Sequence, residues 1–138
     1  MAEQLKLRSE VSEDLKWDLS GIFATEADFD AAAAVFPKTI ADFVAEYKGQ
    51  LKSAEDVVAA LHKYEEVVAA MNHLAQYRSL PTQADITDGE AVSAFRSIYS
   101  VISQESAKLS FFDSEVLTLS EDDIKRVAEL EPAFKAWV

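Results

Sequence analysis

Between Ser53 and Leu80 the chain repeats apolar side chains at heptad-like intervals: Val57, Leu61, Tyr64, Val68, Met71 and Ala75. That spacing puts them on one face of a helix. Ser53, with Asp56 three residues on, supplies the N-cap signal, and Pro81 is expected to stop the helix. A second run carries Val92, Phe95, Ile98 or Tyr99, Ile102 and Leu109 on one face and closes at Phe111-Phe112. Thr87 with Glu90 forms an S/T-x-x-E capping box at its start. The stretch from Pro81 to Thr87 is a short polar connection. Two helices of similar length joined by a short loop fold back on each other. Residues 53–80 and 88–111 are therefore expected to form an antiparallel hairpin. Its seam sets Val57, Leu61, Tyr64, Val68 and Met71 against Phe95, Ile98, Ile102 and Leu109.

The flanking segments add shorter helices. A first helix is expected after Thr25, with Asp28 completing a loose capping box. Phe29, Val35 or Phe36, Ile40, Phe43, Val44 and Tyr47 form its apolar face, and Gly49 is its C-terminal stop. Pro37 lies inside this run, which predicts a kink or break near residues 33–36. Ser120 with Asp123 caps a helix over 121–130, and Pro132 suits the first turn of another through Val138. Residues 1–16 are polar and read as a flexible lead-in to a helical domain spanning 17–138. Trp17, Leu19, Ile22 and Phe23 form a turn expected to pin the N-terminus onto apolar surface. No alternating or β-branched strand pattern appears, so the fold class is all-α, an antiparallel helical hairpin or bundle with additional short helices.

The 138 residues, 49% apolar with three Gly and three Pro, suit one domain with a core of ordinary size. The net charge of −12 repels phosphate backbones, which argues against nucleic-acid binding. With no cysteine, thiolate metal sites and thiol catalysis are excluded. No apolar signal core or membrane-length stretch occurs, and the expected setting is the cytoplasm, away from the membrane. Phe134, Trp137 and Val138 leave an apolar stripe with no stop signal before the last residue. Such an end reads as a chain cut inside a longer protein, and a buried terminal helix would read the same way. It is also the first docking patch to consider, with Trp17 and Phe23 as the second.

Chemistry is harder to find. His62 and His73 are eleven residues apart, about 16 Å along a helix axis, too far to share one zinc. His62 and Glu66, at i and i+4, form a solvated pair rather than a metal site. Glu65-Glu66, Glu121-Asp122-Asp123, Glu26 and Asp28 cluster at helix starts or on exposed faces, where the macrodipole or water accounts for them. There is no Gly-rich phosphate loop and no G-x-S-x-G elbow. Tyr64, Tyr77, Phe95, Tyr99, Phe111 and Phe112 sit at helical spacing, and core packing is their default role. Arg78 and Arg96 are placed to pair with a carboxylate across the hairpin, or to reach a peptide C-terminus. No catalytic, cofactor-binding or metal-ligating residue emerges.

Three segments nevertheless resemble the N-terminal region of the oligoendopeptidase F family. Lys16-Trp17-Asp18-Leu19 followed by Ile22-Phe23 is similar to its opening Trp-Asp-Leu segment. Tyr47-Lys48-Gly49-Gln50-Leu51 leads into Ser53-Ala54-Glu55-Asp56 and a Leu-x-x-Tyr-Glu-Glu run from Leu61 to Glu66. Tyr77-Arg78-Ser79-Leu80 comes next, then Ala107-Lys108-Leu109-Ser110-Phe111-Phe112, Glu115-Val116-Leu117 and the late Pro132. Together they span nearly all of residues 16–138. The resemblance implies a cytosolic zinc metalloendopeptidase that cuts oligopeptides inside a closed channel, with an N-terminal helical layer in the channel wall. Its zinc site, a His-Glu-x-x-His helix and a downstream Glu, lies on a later catalytic domain of the same polypeptide. None of those positions exists here, so the implied zinc belongs to the parent enzyme and this chain alone is expected to be inactive. A free-standing helical module that binds an amphipathic helix in a groove is the alternative.

Overall fold

The computed structural model describes residues 8–136, and every regular element among them is helical. Short 3-10 turns at Arg8–Glu10 and Glu13–Leu15 precede α1 (Glu26–Tyr47). Then come α2 (Ala54–Ala84), α3 (Gly89–Ser106), a 3-10 turn at Ala107–Ser110, α4 (Phe111–Val116) and α5 (Glu121–Leu130). A 3-10 turn at Pro132–Ala136 ends the described chain. The fold is all-α, as the periodicity requires.

Local chemistry sets most of the boundaries. The Thr25 hydroxyl accepts the Asp28 N–H at 3.2 Å while the Asp28 carboxylate accepts the Thr25 N–H at 3.0 Å, a complete capping box. Ser53 caps α2 by accepting the Asp56 N–H at 3.2 Å, and Ser120 caps α5 by accepting the Asp123 N–H at 3.1 Å. Gly49 takes φ +79° after the end of α1, a left-handed conformation that favours glycine. Its N–H donates to the Glu115 carboxylate at 2.7 Å, tying the α1–α2 turn to α4.

Three expectations fail locally. α1 is continuous through Pro37, so of the kink or break expected near residues 33–36 the break does not occur. Proline removes one backbone bond, but Phe29, Phe36, Ile40 and Phe43 bury one face of α1 on both sides of it. α2 likewise passes Pro81 and ends at Ala84, where the Asp85 N–H donates to the Pro81 carbonyl at 3.1 Å. The α2–α3 connection is therefore shorter than the polar stretch from Pro81 to Thr87. Thr87 is not the cap of α3: its N–H and hydroxyl both donate to Asp85, at 2.9 and 2.7 Å. Asp88 caps α3 instead, accepting the Glu90 and Ala91 N–H groups at 3.0 Å each.

α2 is the centre of the packing, flanked by α1, α3 and α5. Its buried residues are Ala54, Val57, Ala60, Leu61, Val67 and Leu74. Tyr64 and Met71 pack at the edge of that core, but Val68 faces a surface groove rather than the seam. A helix covered by three neighbours cannot keep its apolar residues on one stripe. On α3 the expected pair Ile98 and Ile102 is buried and Phe95 packs beside them, whereas Tyr99 is exposed. Leu109, Phe111 and Phe112 are buried in the turn and short helix that follow α3, not in one helix running to residue 111. Tyr64 stacks on Phe112 with ring centres 5.0 Å apart.

Candidate functional site

The clearest junction of charge and aromatic surface joins the start of α1 to the second half of α2. Arg78, with only 22% of its side chain exposed, donates to the Glu26 carboxylate. Its guanidinium lies over the Phe29 ring, 4.1 Å from the centre. Phe29 stacks on Tyr77, and Phe23 meets both rings edge-on at 5.7 and 5.4 Å. Burial, then the Glu26 carboxylate, raises the Tyr77 hydroxyl above its ordinary pKa. The carboxylate for Arg78 thus comes from α1, not from across the α2–α3 hairpin. Sequence periodicity could not pair Glu26 with a residue 52 positions away. Arg96 is exposed, and no carboxylate among the described residues pairs with it.

His62 and His73 belong to different surfaces. His62 Nε2 lies 3.5 Å from Glu131, so its carboxylate neighbour is Glu131 and not Glu66, which pairs with Lys63 at 2.6 Å. The His62 ring packs 5.0 Å from Phe134. Beside it runs an open groove of about 640 Å³ lined by Leu61, Tyr64, Val68, Asn72 and Phe134 among others. His73 instead borders a smaller groove of about 250 Å³ between α1 and α2, with Phe23, Phe36 and Leu74.

The remaining polar chemistry is structural. Glu121, Asp122 and Asp123 occupy the first turn of α5, as Glu26 and Asp28 do in α1. Two hydrogen bonds from Arg126 to Glu55, at 3.0 and 2.7 Å, bind the start of α2 to the middle of α5 and hold Glu55 below the usual carboxylate range. Hydrogen bonds from Ser20 and Thr87 lower Asp18 and Asp85 in the same way. Burial raises the Tyr64 hydroxyl. None of these shifts moves a group toward the neutral range that proton transfer requires. Among the described residues no three His, Asp or Glu side chains converge to hold a metal ion. The donor set does not fit zinc, which takes three or four ligands at one point.

Of the docking residues, Phe134 is only 5% exposed, so it is spent on packing against α2 and His62. Trp137 and Val138 lie outside the described residues. Phe23 does anchor the N-terminal turn, but Trp17 stays 56% exposed.

No family model matches the chain, and no solved structure matches it. The chain is similar to an oligoendopeptidase F homolog of Borreliella burgdorferi, 24% identical over 118 residues that make up 86% of this chain. It spans about a fifth of that relative's length, the matched part being 20%. The link to the family is distant.

Proposed function

We propose that the chain is the N-terminal helical layer of a zinc-dependent oligoendopeptidase, forming part of the wall of its substrate channel. The observation that carries this is the 118-residue similarity to an oligoendopeptidase F homolog. The wall role needs no reactive group in these residues. A narrow channel admits an extended oligopeptide and refuses a folded protein, so the wall selects by size while the chemistry is done elsewhere. A hairpin built on a long, well-packed α2 makes a rigid panel for that purpose. The zinc, its His-Glu-x-x-His helix and the downstream Glu belong to the catalytic domain of the same polypeptide, in the cytosol. The acid excess of this domain favours basic over acidic peptides at the channel.

The test begins with the reading frame that encodes the chain. The proposal requires several hundred further codons that include His-Glu-x-x-His. The intact protein should cleave short fluorogenic peptides and spare folded proteins. Deleting residues 17–138 should abolish cleavage or relax its length limit, and the chain supplied in trans should restore it. Unchanged rate and length limit after deletion would reject the wall role. A reading frame that lacks the zinc motif would favour the free-standing interaction module.

A further inference from the structure

Around the N-terminal turn and the α2–α3 turn, large apolar side chains are left mostly uncovered by the described residues. Leu15, Trp17 and Ile86 are 72%, 56% and 82% exposed. Trp17 lies beside the α2–α3 turn, in a crevice of about 110 Å³ shared with Leu80, Pro81, Ala84, Asp85 and Asp88. Ile86 projects from the turn between those two aspartates, and Leu15 precedes Trp17 by two residues. The turn is closed by its own hydrogen bonds: Asp85 fastens Thr87, and Asp88 caps α3. A half-exposed Trp with further apolar side chains near it makes a patch of the kind that marks an interface, with the Trp as its anchor.

The charge around them identifies the kind of surface that would cover them. Glu13, Asp14, Asp18, Asp85, Asp88 and Glu90 lie on the same segments, against Arg8 and Lys16, and Lys16 is already paired with Glu13. An acidic rim around an apolar centre is complementary to an apolar surface edged with Lys and Arg. We propose that this patch seats the remainder of the same polypeptide through such a basic-edged apolar surface. The occupant rests on the peptidase reading, under which four fifths of the related protein's length lies outside the matched 20%. It also moves the docking patch from Phe134, which is buried, to the N-terminal turn and the α2–α3 turn.

Hydroxyl-radical footprinting of the full-length protein and of the 138-residue chain tests this with no substitution. Leu15, Trp17 and Ile86 should lose reactivity several-fold in the full-length protein, while exposed Tyr99 and Leu117 keep theirs. A full-length zinc peptidase in which the three side chains stay as reactive as in the isolated chain overturns this surface and leaves the peptidase reading intact. Protection confined to Tyr99 and Leu117 does the same. Protection that appears in the isolated chain as its concentration rises makes a second copy the occupant and overturns the proposal. A reading frame without His-Glu-x-x-His overturns the peptidase reading and removes the occupant with it.

Discussion

Val67 and Val68 are neighbours of one residue type, yet the first is 2% exposed in the core and the second borders a groove. A heptad drawn through Val57, Leu61 and Tyr64 selects Val68, because it assumes that α2 has one partner. The deeper positions, Ala60, Val67 and Leu74, exist because α5 and α1 cover the flanks that a simple hairpin would leave to water. Val67→Ala should therefore cost roughly 2 kcal/mol in urea unfolding, from lost burial plus the cavity left behind. Val68→Ala should cost less than about half of that, since no closed cavity forms at an open groove. Equal costs for the two variants would put the core on the other register. Leu61 belongs to both descriptions at 3% exposure, and it is the residue whose role the sequence showed most plainly.

At the level of the helix, the sequence is most legible where a short side chain answers a nearby backbone group. Thr25, Gly49, Ser53 and Ser120 all mark the boundaries their chemistry implies. It is least legible where packing or a competing bond decides. Pro37 and Pro81 remain inside helices, and Thr87 is diverted to Asp85. The cap of α3 can be measured directly. Asp88→Ala should cost about 1 kcal/mol, the ordinary value of an N-cap. Thr87→Ala should leave the α3 amides protected from hydrogen exchange, and loss of that protection would return the cap to Thr87.

The Glu55–Arg126 contact joins two helices and gives a pH signature with a definite sign. Glu55 is lowered from 4.5 in the fold by the Arg126 hydrogen bonds, so the unfolded chain binds its proton first as pH falls. The stabilisation is present above pH 4.5 and is lost as pH drops through the depressed folded value. Glu55→Gln should thus lower the melting temperature slightly at neutral pH, with the difference from the parent shrinking on acidification. The effect is small because both side chains are more than half exposed. A difference that stays constant with pH would show that the contact does not hold the carboxylate in its charged form.

Across the whole molecule, the long-range pairings are what the sequence could not show: Arg78 with Glu26, Arg126 with Glu55, and His62 with Glu131 and Phe134. Each joins helices whose relative placement depends on the packing of α2. The separation of the two histidines, by contrast, follows from helical rise alone. The fold then sends them to different grooves, His62 beside Phe134 and His73 beside Phe36. Stoichiometric zinc affinity needs several deprotonated donors converging within about 2.0–2.3 Å of one point. A lone imidazole with one nearby carboxylate offers at most a weak site that competes with water and buffer. Calorimetric titration of the isolated chain with zinc should therefore show no stoichiometric sub-micromolar binding. A fluorogenic peptide assay of the same sample should show no turnover that survives repurification. His62→Ala should leave both results unchanged, because the histidine sits against Phe134 as a packing residue and not as a ligand. Tight one-to-one zinc binding that disappears in His62→Ala would instead place a metal centre beside the groove between α2 and the Pro132–Ala136 turn.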